Sequence, residues 1–219
     1  MGRDIILKKA IFIIEHLEET LGQWILLEYE NVAKIVGKEN LIVTNIKDNK
    51  EILTKIANTV VSESAVEFLK KFKSANIIVL DPQAEIVLEP EDFVENRLNV
   101  VIVGGILGDH PPKGRTHELL TKKFLRRNYE VKVRHLGKEQ LTIDGAVYVA
   151  YQILRGKRVS EIPFTIGLTI IRKVGYVEHE IILPYKYPLV NGKPLVNPKL
   201  INYLAKGIVV DEIKQLSKP

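Results

Sequence analysis

Residues 99–112 read NVVIVGGILGDHPP, and this stretch decides the fold. The apolar run 100–103 is typical of a buried strand. Gly104, Gly105 and Gly108 follow it, together with an acid, a histidine and two prolines. A turn needs only one Gly or Pro, because each supplies one particular backbone angle. The composition therefore indicates a binding loop at the point where a core strand reaches the surface.

Strands and helices alternate on both sides of this loop. The sequence predicts strands at 10–14, 41–46, 75–80, 100–103 and 131–135, with helices at 20–36, 50–72 in two pieces, 115–125 and 144–154. This alternation favours an α/β fold with a mostly parallel sheet and helices on both faces. Ligand sites in such sheets lie at the carboxyl ends of the strands.

The pattern changes after residue 160. Two β-rich runs, 164–172 and 176–183, are joined through Gly175 and predict a hairpin. An extended segment with a turn at Asn191-Gly192 and a helix from Lys199 follow. We therefore predict an α/β domain over 1–160 and a hairpin and tail, 161–219, packed on it.

Composition excludes several classes of protein. The chain has 219 residues, of which 46% are apolar, and contains no cysteine. Disulfides, thiolate nucleophiles and cysteine-ligated metal sites are therefore excluded, and we predict no metal. The apolar stretch 162–171 is too short for a membrane span, which needs ~20 residues, and the N-terminus has no signal-peptide pattern. We expect a cytoplasmic protein without membrane contact.

The formal net charge is +5, and much of the excess lies near one predicted helix. Such a cluster fits the phosphates of RNA or of ribosome surfaces, although a solvated helix face is the plain alternative. The predicted RNA or substrate contacts are Arg115, Lys122, Lys123, Arg126 and Arg127.

Two further stretches follow predicted strands, IIEHLEETLGQW (13–24) and RHLGKEQLTIDGA (134–146). Each alone has a plain explanation, because acids and Thr142 suit the first turn of a helix. Together with the glycine-rich loop after residue 103, they make three such loops at one sheet edge, which favours a ligand-binding or active site there. The sequence lacks GxxxxGK[ST], GxGxxG, GxSxG and HExxH, so standard phosphate loops, hydrolases and zinc proteases are excluded.

Six stretches together resemble the trefoil-knotted, SPOUT-type methyltransferases: FIIEHLEE with QWILLEY, GGILGDHPPKGRT, LGKEQLTIDGA, and ILPYKY with NGKPLVNPKLINYL. The resemblance is to the branch that contains a eukaryotic ribosomal-protein arginine methyltransferase and archaeal relatives catalogued as predicted RNA methyltransferases. It implies a C-terminal trefoil knot, a rare exception to unknotted topology, with S-adenosylmethionine bound within it.

The resemblance also implies the cofactor-binding residues. Gly104 and Gly105 would let backbone groups approach the cofactor, since no Cβ intervenes, and Pro111 and Pro112 would stiffen the loop. The implied set is Leu80, Asp81, Pro82, Gly104, Gly105, Ile106, Leu107, Gly108, Asp109, His110, His135, Leu136, Gly137, Gln140, Leu141 and Thr142.

The acidic first loop favours a cationic acceptor, because carboxylates can grip a guanidinium and take its proton. The candidate catalytic residues are Glu15, His16, Glu18, Glu19, Asp109 and His110. We therefore predict methylation of an arginine in a ribosomal or RNA-associated protein, with a ribosomal protein or ribosomal RNA as partner. Methylation of RNA by the same fold and non-catalytic binding of cofactor or RNA remain alternatives, and a homodimer is left open.

Overall fold

The computed structural model describes residues 9–72, 74–109, 111–174 and 176–206. Within these ranges a six-stranded parallel sheet has the order β3-β2-β1-β5-β4-β6. Its strands are β1 (Ala10–His16), β2 (Leu41–Thr44), β3 (Thr59–Val60), β4 (Asn76–Leu80), β5 (Asn99–Gly105) and β6 (Lys132–Arg134). The helices are α1 (Gln23–Val36), α2 (Lys50–Leu53), α3 (Ala65–Phe68), α4 (Lys122–Leu125) and α5 (Ile143–Leu154), with a π-helical turn, His117–Thr121, leading into α4.

The sheet is covered on both faces. Every residue of β4 and β5 is buried, as expected for central strands of a parallel sheet. Helices α1 and α5 pack on one face, and α3 with the α4 region packs on the other. The predicted α/β class with helices on both faces is confirmed.

The chain threads through its own β4–β5 connection. Asp81 N donates to Arg134 O (2.9 Å), so β6 continues beside the end of β4. On the other side, His135 N donates to Ile86 O and Leu88 N donates to His135 O, both at 2.9 Å. Residues 134–135 therefore lie between β4 and its outgoing connection, and the chain then continues into α5. This crossing forms the predicted C-terminal trefoil knot.

A second, antiparallel sheet follows the knot. It contains β7 (Phe164–Val174), β8 (Val177–Val190) and β9 (Lys193–Pro194). Asn191 and Gly192 both have positive φ (52° and 75°), which is typical of a two-residue hairpin turn. One face of the β7–β8 hairpin packs on α1 through Leu183 and Trp24, and a helix over 198–206 follows.

Most predicted elements are present, but the two-residue strands β3 and β9 were not predicted as strands. β3 lies between the two predicted helical pieces of 50–72 and pairs with Ile42 and Val43. Two residues are too few to give a period-2 pattern, so only the pairing reveals this strand. Gly175 and residues 207–219 of the predicted tail lie outside the described residues. Over the described ranges, no helix has the length and apolarity that crossing a membrane would require.

Candidate functional site

A cavity opens at the carboxyl edge of the sheet, where three connections meet. They follow β4, β5 and β6. Its lining includes ten of the predicted cofactor residues: Leu80, Asp81, Pro82, Gly104, Ile106, Leu136, Gly137, Gln140, Leu141 and Thr142. The sequence interpretation missed five further lining residues: Val103, Thr116, Glu139, Ile143 and Ala146. Ile143 and Ala146 belong to the apolar pattern of α5, so nothing in the sequence separated them from core residues.

The wall formed by the β6–α5 connection depends on local backbone chemistry. Gly137 has φ +117°, which residues with a side chain rarely adopt. Thr142 is the N-cap of α5, and its Oγ1 accepts a hydrogen bond from Gly145 N (3.2 Å). Thr142 thus caps a helix and also lines the cavity.

The two adjacent glycines of the β5 loop have different surroundings. Gly104 lines the cavity, and a Cβ there would lie 3.3 Å from Leu17 Cδ1. A Cβ at Gly105 would lie 2.0 Å from the hydroxyl of Tyr29 and 2.7 Å from Ile14. Close packing of β5 against β1 and α1 therefore already requires glycine at 105.

Asp81 joins the cavity to the helix above it. The carboxylate is buried, and its Oδ1 accepts from Gln83 N (2.8 Å). Its Oδ2 accepts from Thr121 Oγ1 (2.7 Å) and lies 2.7 Å from His117 Nδ1. The π-helical turn places both partners over the carboxylate. Neither His117 nor Thr121 was predicted, because the spacing of a π-turn is not visible in the sequence.

Glu18 and Asp109, which we call the loop acids, bind a guanidinium from the same chain. Arg115 Nε donates to Asp109 Oδ2 (2.5 Å), and its Nη1 lies 3.4 Å from Glu18 Oε1. Its Nη2 donates to Leu107 O, while Leu107 N donates to Glu18 Oε1 (2.9 Å). Burial favours the neutral form of Asp109, but Arg115 and Lys113 outweigh it and lower the pKa of this carboxyl. The cluster is partly open to solvent.

The other predicted catalytic residues of the first loop are separated from this cluster. Glu15 is fully buried, and its Oε2 accepts from Thr44 Oγ1 (2.5 Å) and Ala65 N (2.7 Å). Burial raises the pKa of Glu15. His16 faces the opposite side of the strand, 3.0 Å from the hydroxyl of Tyr29, and burial lowers its pKa. Glu19 is exposed.

Among the described residues, the remaining predicted cofactor residues do not line this cavity. Leu107 contributes its backbone groups to the loop acids. Gly108 O accepts a hydrogen bond from the hydroxyl of Tyr185 (2.9 Å), which ties the β5 loop to the hairpin. His135 Nδ1 accepts from the N–H two residues further on (3.0 Å). His110 lies outside the described residues.

The predicted basic contacts divide into two places. Arg115 lies in the cluster of the loop acids, and one third of its side chain is exposed (33%). The other four cations lie on the α4 helix and its end: Lys122, Lys123, Arg126 and Arg127. Two of these are paired, Lys122 with Glu118 and Arg127 with Glu67.

A second pair of acids, Glu28 and Asp144, was missed by the sequence interpretation. We call them the buried acids, because each is only 2% exposed. Glu28 accepts from Trp24 Nε1 (2.7 Å) and from Ile143 N (2.9 Å). Asp144 Oδ2 accepts from Asn31 Nδ2 (2.7 Å). Burial and then the charge of Asp144 raise the pKa of Glu28 to about 8, and burial raises that of Asp144.

The cavity fits the adenosine part of S-adenosylmethionine. Leu80, Leu136 and Leu141 supply apolar surface for a purine ring, and Gly104 exposes backbone without a Cβ. A buried carboxylate and a threonine hydroxyl in the same lining are suitable partners for ribose hydroxyls.

Comparison with known proteins agrees with this geometry. Residues 11–210 match the family model described as "Protein arginine N-methyltransferase SFM1-like". Protein arginine N-methyltransferase SFM1 of Saccharomyces cerevisiae is 30% identical over 214 residues, 89% of this chain and 94% of that protein. The crystal structure of yeast SFM1 complexed with SAM has a TM-score of 0.75 and 29% identity, covering 91% of each chain. Trm10 of Thermococcus kodakaraensis shares the fold, with a TM-score of 0.55 and 22% identity over 69% of this chain and 96% of that one.

Proposed function

Since this chain belongs to the SFM1-like family of protein arginine N-methyltransferases, we propose that it transfers a methyl group from S-adenosylmethionine to an arginine of a protein. The match to this family confirms the resemblance that the sequence motifs indicated. The observation that carries the assignment to this chain's own residues is the cluster in which Glu18 and Asp109 already hold a guanidinium.

We assign the cofactor to the cavity at the carboxyl edge of β4 and β5. The connections after β4, β5 and β6 would enclose it, with Leu136 and Leu141 against the purine and Gly104 at its closest approach. When bound, S-adenosylmethionine supplies an electrophilic methyl group carried by a sulfonium. Gln140 and Thr116 add polar groups to the lining of the cavity.

The loop acids are the proposed acceptor site. A carboxylate has about four acceptor positions, and among the described residues Glu18 Oε2 has no partner. Glu18 and Asp109 therefore retain capacity for a second guanidinium beside that of Arg115. Holding the acceptor in one orientation supplies much of the acceleration in a displacement of this kind. Arg115 is a positioning residue, since it fixes both carboxylates and the carbonyl of Leu107.

Proton removal is assigned to Glu18. A guanidinium has a pKa above ~12, so the proton leaves as the new C–N bond forms and needs a nearby acceptor. Asp109 contacts both Arg115 and Lys113, which lower its pKa, whereas Glu18 has a carboxylate oxygen, Oε2, without a partner among the described residues. We assign Asp109 to orientation and Glu18 to proton transfer.

The kind of protein that is methylated is also part of this proposal. A basic protein presented on RNA suits both an acidic acceptor site and the cations of the α4 helix. We therefore propose a ribosomal or RNA-associated protein as substrate, methylated in the cytoplasm. The division of the chain into a domain over 1–160 and a hairpin and tail over 161–219 remains a prediction, which limited proteolysis tests. Light scattering measures whether the protein forms a homodimer.

Radiolabelled S-adenosylmethionine and ribosomal subunits test the function. Incubation should place the label on protein. Protease should then release the label, and ribonuclease should not. Label that ribonuclease releases and protease does not would replace arginine methylation with RNA methylation. No transfer, despite binding of S-adenosylhomocysteine, would favour a non-catalytic cofactor-binding protein.

A further inference from the structure

A groove lies at the amino edge of the sheet, opposite the cofactor cavity. It runs along the starts of β4 and β6 and contains residues from the α3 region and from the segment that joins α4 to β6. Its lining includes Lys70, Phe72, Arg97, Tyr129, Glu130 and Lys132. The five residues of β4, about 13 Å of strand, separate the groove from the opposite edge.

The groove is basic. Among the described residues, its lining has three cations, Lys70, Arg97 and Lys132, and one acid, Glu130. Lys70 pairs with Glu67, and Lys132 donates to the backbone carbonyl of Asp92 at 2.6 Å and lies 3.8 Å from the carboxylate of the same residue. Arg97 is exposed and makes no hydrogen bond or ion pair with any residue that the structure describes. At least one guanidinium is thus available to an anion at this edge.

Two aromatic rings form the apolar part of the groove. Phe72 and Tyr129 both line it and are partly exposed. Tyr129 is held in place, because its hydroxyl donates to Val66 O (2.9 Å) and its ring packs edge-on against Phe124. A fixed aromatic surface among cations is the usual combination in proteins that bind single-stranded nucleic acid.

The groove is continuous with the basic end of α4. Arg127 pairs with Glu67, and Glu67 pairs with the groove residue Lys70. Lys123 and Arg126 are exposed on the same helix and its end. The cations therefore extend from α4 into the groove, which gives a path for more than one phosphate.

We propose that this groove binds a single-stranded segment of RNA, with its phosphates on Arg97, Lys132 and Lys70 and a base against Tyr129 and Phe72. The inference goes beyond the proposed methyl transfer, because the groove and the cofactor cavity lie at opposite edges of the sheet. Binding at the groove would hold an RNA-associated protein at the enzyme while its arginine enters the acceptor site.

The test measures fluorescence anisotropy of a labelled uridine dodecamer with the full chain over a range of salt concentrations. A triple variant, Lys70→Gln/Arg97→Gln/Lys132→Gln, should weaken binding at low salt by about tenfold or more and reduce the salt slope by about 2, since each phosphate contact to a single strand contributes roughly 0.7. Arg97→Gln alone should reduce the slope by about 0.7. Lys34→Gln, which removes one charge from exposed α1 surface, should leave both quantities unchanged.

Two results would overturn the inference. One is no binding of the dodecamer by the parent protein at low salt, and the other is equal binding by the parent and by a triple variant that retains its circular dichroism spectrum. S-adenosylhomocysteine should leave the affinity for RNA unchanged, and a large change would contradict separate sites. Methyl transfer to a short arginine peptide, measured in the same variants, should stay at the parent level, so failure of the groove and failure of the enzyme are distinguishable.

Discussion

Two pairs of carboxylates near the cofactor cavity have opposite environments. The loop acids, Glu18 and Asp109, are partly exposed and share a guanidinium, and the pKa of Asp109 is lowered. The buried acids, Glu28 and Asp144, are dry, and among the described residues they receive only neutral donors. The pKa of both is raised.

The contrast shows that a nearby cation and access to solvent, rather than the number of acids, decide whether a pair of carboxylates can bind a cationic substrate. A carboxylate that stays ionised beside Arg115 attracts a second guanidinium. A carboxyl that burial keeps neutral instead joins two helices, since Glu28 on α1 accepts from the first N–H of α5.

The largest expected effect comes from neutralising the loop acids. The variant Glu18→Gln/Asp109→Asn should lower turnover on an arginine peptide by ~10² or more, the usual size of a lost general base. Cofactor affinity should remain within a few-fold, because neither side chain lines the cavity. Single-turnover kinetics and calorimetry with S-adenosylhomocysteine measure the two quantities. Parent-level turnover would remove both acids from the mechanism.

The buried acids predict a dependence of stability on pH. The pKa of Glu28 is about 8 in the folded protein and 4.5 as an ordinary glutamate, so the native state binds the extra proton between these values. The free energy of unfolding should therefore fall as pH rises from about 4.5 to 8, by up to about 1.4 kcal/mol per unit. Glu28→Gln mimics the neutral carboxyl and should flatten this part of the profile. Denaturant unfolding at several pH values tests it, and equal slopes in both proteins would contradict a neutral Glu28.

Removing one donor to the buried acids should cost less. Asn31→Ala leaves Asp144 Oδ2 without its hydrogen bond inside a dry interface. The expected loss is about 1–3 kcal/mol of stability, the cost of an unsatisfied buried acceptor. Lys34→Ala, at an exposed position three residues along α1, is the control and should change stability by less than about 0.5 kcal/mol. Equal midpoints in urea for the two variants would show that the bond contributes nothing.

The smallest effect is expected at Glu19. The side chain is exposed and, within the described part of the chain, makes no hydrogen bond or ion pair. Glu19→Gln should leave turnover within about twofold and stability within about 0.5 kcal/mol. A loss of turnover comparable to that of the loop acids would mean that the acceptor site extends to the exposed end of this loop.

The sequence predicted which loops meet at the cavity better than it predicted the surroundings of their side chains. The three loops were recognisable because glycines and polar residues follow apolar strands, and parallel strands bring their carboxyl ends to one edge. Roles depend on which way each side chain points. Glu15 and His16 are adjacent, yet they point to opposite faces of β1 because side chains alternate along a strand.

The buried acids were invisible for another reason. Glu28 and Asp144 are more than a hundred residues apart and lie in helical patterns where an acid usually faces solvent. Only the packing of α1 against the first turn of α5 brings them together. Similarly, Arg115 looked like part of the basic cluster, and only the fold places its guanidinium between Glu18 and Asp109.

The most direct test of the acceptor site compares binding of an arginine peptide with binding of the same peptide carrying citrulline, a neutral analogue of the arginine side chain, in the presence of S-adenosylhomocysteine. If Glu18 and Asp109 hold the acceptor guanidinium, the parent protein should prefer arginine by about tenfold or more, because hydrogen bonds between charged groups are roughly twice as strong as neutral ones. In Glu18→Gln/Asp109→Asn the two peptides should bind almost equally. An unchanged preference for arginine in that variant would contradict the assignment of the loop acids as the acceptor site.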